Sequence, residues 1–106
     1  MAADKNWKRA EREIARRIGG ERVPITGRIR GSAPDIAHEW LSVECKQRRQ
    51  LPEWLLDAMS QAKASARGDQ LPVAILQETG RPYSSALVVL ELQAFVDHFG
   101  EVPRAP

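Results

Sequence analysis

The chain has 106 residues, of which 42% are hydrophobic and 28% charged, with a formal net charge of +2. This length predicts one domain over 1–106, with 1–3 and 101–106 frayed, and excludes two domains of ordinary size. The chain has no run of about 18 apolar residues and no signal-peptide pattern, which predicts no membrane segment. Its single cysteine excludes an internal disulfide framework and indicates a cytoplasmic protein.

The charge is unevenly distributed along the chain. Residues 1–49 hold 12 Lys/Arg against 7 Asp/Glu, whereas residues 50–106 hold 4 against 7. A basic half of this kind is typical of a protein that binds a polyanion, and nucleic acid is the commonest one. The alternative is a chance asymmetry of an ordinary surface.

The first predicted element is an amphipathic helix over residues 4–18, closed by the glycine pair that follows. At about 100° per residue, Trp7, Ile14 and Ile18 form the centre of its apolar stripe, and Glu11 falls inside that stripe. Burying a charge is costly unless something pairs with it. Glu11 is therefore expected either to form a salt bridge with a basic side chain or to reach a metal site.

Residues 21–30 are predicted to form a short strand at a sheet edge, because Pro24 has no N–H to donate to a neighbouring strand. Arg28 and Arg30 belong to a basic turn that leads to Asp35. Both arginines are candidate phosphate contacts. The alternative is that they are solvated loop residues.

A hairpin is predicted over residues 34–47, with its turn near His38, which we interpret as a surface histidine. Apolar and polar residues alternate in its second strand, so Glu44 and Lys46 should share one face while Cys45 points away from them into the core.

A cation site is predicted where Asp35 and Glu44 come together, because magnesium prefers oxygen ligands and commonly takes one or two carboxylates. Lys46 is not a ligand in this interpretation; it would position or activate a water molecule or offset charge on a phosphate. The alternative is a solvated strand face after an ordinary turn.

The second half of the chain is predicted to contain a helix at 52–67, strands at 71–76 and 86–90, and a helix at 92–99. The strand at 71–76 is continuously apolar, which indicates a central strand covered on both faces. The element order predicts an α/β fold with a mixed central β-sheet flanked by helices and a right-handed parallel crossover between 40–47 and 71–76.

Pro34-Asp35 followed by Glu44-Cys45-Lys46 resembles the signature of the PD-(D/E)XK nucleases. The element order also resembles the core of that restriction-endonuclease-like superfamily. The resemblance implies a Mg²⁺-dependent endodeoxyribonuclease, in which Mn²⁺ substitutes for Mg²⁺.

The stretch Lys8–Ile14 is similar to the Arg-x-x-Glu-Arg-Glu-like stretch of archaeal and phage Holliday junction resolvases, and its matching glutamate is Glu11. The resemblance thus implies three metal ligands, Glu11, Asp35 and Glu44, with Lys46 completing the catalytic set. It also implies DNA contacts from the loop containing Thr26 and from the helix containing Gln61; the full set of candidate DNA contacts is Thr26, Arg28, Arg30, Arg48, Arg49 and Gln61.

A junction resolvase implies branched DNA as partner and a homodimer, because two opposed strands need two active sites related by a two-fold axis. Interface candidates are Trp54, Leu56, Tyr83 and Phe95, with local packing as the alternative for each. Other functions remain open: a small repair or recombination endonuclease that cuts flaps, ends or duplex DNA, a non-catalytic DNA-binding module of the same fold, or an interaction protein.

Overall fold

The computed structural model describes residues 5–23 and 34–100. Its helices are α1 (Lys5–Ile18), α2 (Glu53–Ser65) and α3 (Leu92–Phe99), and its strands are β1 (Glu21–Arg22), β2 (Ile36–Ala37), β3 (Ala74–Leu76) and β4 (Leu87–Val89). A short 3₁₀ helix spans Tyr83–Ser85. The described chain divides into two compact units, with a boundary between Arg48 and Arg49.

The first unit is built from α1 and the β1–β2 pair. The helix ends as predicted, because Gly19 adopts a φ of 78° and the N–H of Gly20 donates to the carbonyl of Ala15 at 2.8 Å. This left-handed cap satisfies carbonyl groups at the end of the helix. The cap turns the chain so that β1 contacts α1 and pairs antiparallel with β2.

Ile36 of β2 is the centre of this unit, with a relative exposure of 0%. Its strand pairs with β1 on one side and forms an isolated antiparallel bridge to Val43 on the other. The predicted hairpin is therefore present, but the predicted strand at 40–47 is reduced to that bridge. The predicted alternation is nevertheless present in the burial of this segment, since Leu41, Val43 and Cys45 are half-buried whereas Ser42, Glu44 and Lys46 are exposed.

The hairpin turn is fixed by the side chain of His38. Its Nδ1 accepts hydrogen bonds from the N–H groups of Trp40 and Leu41 at 3.3 and 3.2 Å, and its Nε2 lies 2.7 Å from the carbonyl oxygen of Ile18. Since Nδ1 accepts hydrogen bonds, Nε2 carries the ring proton and donates a hydrogen bond to the carbonyl oxygen of Ile18. His38 is thus half-buried and structural, and its interpretation as a surface histidine is wrong.

The second unit contains α2, the antiparallel β3–β4 pair and α3. In α2, Met59 is buried and Leu55, Ala58 and Ala62 are half-buried, as the predicted apolar stripe requires. The prediction that the strand at 71–76 is covered on both faces is wrong, because Ile75 is 59% exposed.

The described residues form a mixed α/β structure with two separate two-stranded antiparallel sheets. A single mixed sheet and a parallel crossover between 40–47 and 71–76 are not found among the strands of the described ranges, so the PD-(D/E)XK core remains a prediction. No helix in the described residues is both long and apolar enough to span a membrane.

Candidate functional site

A cavity of about 510 Å³ lies in the first unit, and its volume is within the range of small-ligand sites. The four residues that the sequence predicted as catalytic all line it: Glu11, Asp35, Glu44 and Lys46. The rest of its wall comes from Trp7, Ala10, Ile14, Cys45, Gln47 and Arg48.

Helix α1 presents Glu11 to this cavity. Glu11 is the one charged residue found buried where burial is described, with a relative exposure of 8%. Its Oε1 accepts a hydrogen bond from Nε of Arg22 at 2.7 Å, and the side chains of this pair are only 16% exposed for Arg22 and 11% for Glu11. Of the two roles considered for Glu11, the salt bridge with a basic side chain is present, and the role in a metal site stays a prediction for this residue of the cavity wall.

The buried face of α1 is rotated from its predicted centre. Glu11, Ala15 and Ile18 are buried, whereas Trp7, which the apolar pattern placed at the centre of the stripe, is 41% exposed on the cavity wall. The guanidinium carbon of Arg22 lies 5.5 Å from the centroid of the Trp7 ring, within the range of a cation–π contact.

Asp35 forms three hydrogen bonds with backbone groups of other residues. Its N–H donates to the carbonyl of Val43 at 3.1 Å, its carbonyl accepts from the N–H of Val23 at 2.9 Å, and its Oδ2 accepts from the N–H of Cys45 at 2.7 Å. The side chain thus continues the hydrogen bonding past the Ile36–Val43 bridge. This fixes the carboxylate of Asp35 beside the segment that carries Glu44 and Lys46.

Cys45 lines the same cavity and is half-buried, whereas Glu44 and Lys46 are exposed, so the burial of these three residues alternates as predicted, although Cys45 is not fully buried in the core. Burial raises the pKa of its thiol, and the negative charges of Asp35, Glu11 and Glu44 raise it further. The thiol is therefore protonated at neutral pH and is a poor nucleophile.

The carboxylates match the oxygen ligands that Mg²⁺ prefers. Two of them are already engaged, however: Glu11 by Arg22 and Asp35 by the N–H of Cys45. In the described parts of the chain, no group of three or more His, Cys, Asp or Glu side chains is arranged to hold a metal ion. The donor chemistry fits a hard divalent cation, whereas the present arrangement does not gather three ligands around one point of coordination.

The remaining candidate residues have different positions. Arg48 lines the cavity, and the next residue, Arg49, is exposed. Gln61 is exposed on α2 in the second unit. Thr26, Arg28 and Arg30 lie outside the described residues. Three of the interface candidates, Trp54, Leu56 and Tyr83, are exposed by 60%, 49% and 84%, and Phe95 is half-buried.

Arg22 and Trp7 are the site residues that sequence reasoning missed. A signal for Arg22 was present, because a buried glutamate requires a cation and Arg22 is the first basic residue after the turn that closes α1.

No protein-family model matches the chain, and no match was found among the curated proteins or among the solved structures.

Proposed function

We propose that this protein is a metal-dependent DNA endonuclease of the PD-(D/E)XK type. The observation that supports the proposal is the shared cavity of Glu11, Asp35, Glu44 and Lys46, which come from a helix, a strand edge and an irregular segment. Carboxylates can hold a divalent cation that activates a water molecule for hydrolysis of a phosphodiester, and a lysine beside them can offset charge on the phosphate.

In this proposal, Glu11, Asp35 and Glu44 would hold Mg²⁺ or Mn²⁺. When bound, such a cation lowers the pKa of water and offsets charge on the phosphate. Asp35 is positioned by its three backbone contacts, and Glu44 is exposed to the cavity. The exposed ammonium of Lys46 orients the attacking water and stabilises the negative charge that develops on the phosphate oxygens.

The finer proposal is resolution of four-way DNA junctions by a homodimer. It rests on the likeness of Lys8–Ile14 to the junction resolvases and on the basic first half of the chain, which suits a branched polyanion. The predicted PD-(D/E)XK core and the predicted cytoplasmic localisation belong to the same proposal.

The test is cleavage of matched four-way junction, flap and linear duplex substrates with and without Mg²⁺. The wild type is expected to cut the junction only with the metal, and both Glu44→Gln and Lys46→Ala should lower the rate at least about a hundredfold, the usual scale for removing one group that stabilises the transition state. Cutting of flaps or duplex in preference to junctions would instead identify another small repair endonuclease.

A second function, a DNA-binding module without catalysis, is favoured by the engagement of Glu11 with Arg22 and of Asp35 with Cys45. A protein of this kind would bind the junction with a strong dependence on salt but leave every substrate intact with either Mg²⁺ or Mn²⁺. Binding without cleavage by the wild type would therefore replace the first proposal with the second.

A further inference from the structure

The Arg22–Glu11 pair differs from the other Arg–Glu contacts of α1. Glu13 on the same helix pairs with Arg16 and with Arg17. The distance from Nε of Arg17 to Oε2 of Glu13 is 2.7 Å, but the Arg17 side chain is 49% exposed and that of Glu13 is 44% exposed. The Arg22–Glu11 pair has the same length of 2.7 Å and is nearly enclosed. Solvent screens the outer pair and screens the inner pair much less.

An enclosed carboxylate in its ionised form is strongly destabilising unless a cation compensates its charge. Arg22 supplies that cation for Glu11 in the present arrangement. A divalent ion bound to Glu11 would supply the same charge at the same carboxylate. A metal ion bound to Glu11 would therefore compete with the guanidinium of Arg22.

Arg22 also has a second contact beside the cavity. Its guanidinium carbon lies 5.5 Å from the centroid of the Trp7 ring, and Trp7 is partly exposed on the cavity wall. The ring face attracts a cation without a formal charge of its own. A guanidinium displaced from Glu11 can therefore remain against Trp7.

We propose that Arg22 is an internal counter-ion that a divalent cation must displace from Glu11, so that Arg22 sets the metal affinity of the cavity. This inference rests on the proposed function, because it assumes that Glu11 is a metal ligand. In the present arrangement the carboxylate of Glu11 is occupied by Arg22, which is the contact that a metal would have to replace.

The experiment is a calorimetric titration of the full chain with Mn²⁺, comparing wild type, Arg22→Met and Arg17→Met. Methionine keeps an apolar stem and removes the guanidinium. Arg17→Met is the matched control, because it removes the same charge and a hydrogen bond of the same length from the exposed Glu13 pair. Thermal melting of each variant with and without Mn²⁺ provides a second measurement.

Arg22→Met is expected to bind Mn²⁺ about tenfold more tightly than wild type, within the range of ordinary coupling between two ligands. It should melt at a lower temperature without metal and gain more than wild type from added Mn²⁺. Arg17→Met should bind within about twofold of wild type, as expected for an exposed and screened pair.

Equal or weaker Mn²⁺ binding by Arg22→Met, with binding retained in wild type, would overturn this inference and leave the proposed metal site intact. Absence of Mn²⁺ binding in all three proteins would overturn the metal site and the inference together. If Arg22→Met does not fold, Arg22→Gln gives the same comparison, because its amide still offers an N–H to the buried carboxylate while carrying no charge.

Discussion

The Oδ2 atom of Asp35 lies 2.7 Å from the backbone nitrogen of Cys45 and accepts its hydrogen bond. This interaction joins a candidate metal ligand to the backbone next to Glu44, on a segment that forms no regular strand. Asp35 therefore has a structural role that can be measured separately from any role in metal binding.

Two substitutions at Asp35 separate these roles. Asp35→Asn keeps an oxygen that can accept from Cys45 and loses the charge, whereas Asp35→Ala loses both. We expect Asp35→Ala to lower the free energy of unfolding by about 1.5–3 kcal/mol, the usual value of a hydrogen bond to a charged group, and Asp35→Asn to lower it less. Denaturant unfolding in the absence of divalent ions measures both values.

Added Mg²⁺ or Mn²⁺ should raise the melting temperature of the wild type, because a ligand that binds only the folded state stabilises it. Asp35→Asn should abolish this increase. The control is Glu13→Gln, which removes an acidic group from the exposed face of α1 and should keep the full response. A wild-type melting curve that metal leaves unchanged would count against a metal site in the cavity.

Gly20 is expected to tolerate no side chain, because a Cβ atom there would lie 2.5 Å from the carbonyl oxygen of Ala37 and 2.8 Å from Cγ2 of Ile36. Gly20→Ala should therefore destabilise the protein by about 1–3 kcal/mol, the usual cost of overpacking. Ser42→Ala is the comparison, because Ser42 is exposed on the neighbouring segment and its substitution should leave stability nearly unchanged. Denaturant unfolding measures both variants, and a free energy of unfolding of Gly20→Ala equal to that of the wild type would show that β1 and β2 are not this close.

Cys45 should react slowly with iodoacetamide at pH 8, because burial and the neighbouring carboxylates raise its thiol pKa and so reduce the thiolate fraction. Its rate should rise as the pH increases past the range in which an unperturbed cysteine ionises. Asp35→Asn should accelerate the reaction at pH 8, because removing one negative charge lowers the thiol pKa. Mass spectrometry follows the reaction at this single cysteine, and a rate equal to that of a free cysteine in the folded wild type would contradict the arrangement.

Arg48 and Arg49 are expected to contact DNA phosphates. Replacing both with alanine should weaken binding to junction and duplex alike and reduce the slope of log K against log salt by about 0.9 for each phosphate that the variant no longer neutralises. Fluorescence anisotropy over a range of salt concentrations measures the slope. The control is Arg67→Ala, which removes an exposed arginine of the second unit and should leave the slope unchanged. If the double variant at Arg48 and Arg49 also keeps the wild-type slope, these two arginines are solvated and do not contact DNA.

The helices could be predicted from the sequence because their signals are local. The predicted helix at 4–18 is found at Lys5–Ile18 and that at 92–99 at Leu92–Phe99, each followed by the glycine that marks its end. Helical periodicity and capping depend on residues a few positions apart, and both are visible in one sequence.

The strands and the site details depended on contacts that are distant in sequence. The alternation at 41–46 predicted a strand, and the burial of this segment does alternate, but in the described residues only Val43 forms a bridge, so no regular strand results. The residues grouped around Asp35 were predicted to meet, whereas the partner of Glu11, Arg22, lies eleven positions along the chain and enters only because the glycine cap reverses the backbone.

All the residues that line the 510 Å³ cavity precede Arg49, where the second unit begins. In a library of random substitutions, those that abolish the response to metal while the protein still melts cooperatively should therefore map to the first half of the gene. Substitutions after residue 48 should mainly lower yield or stability, so the same screen would separate residues of the cavity from residues that only support the fold.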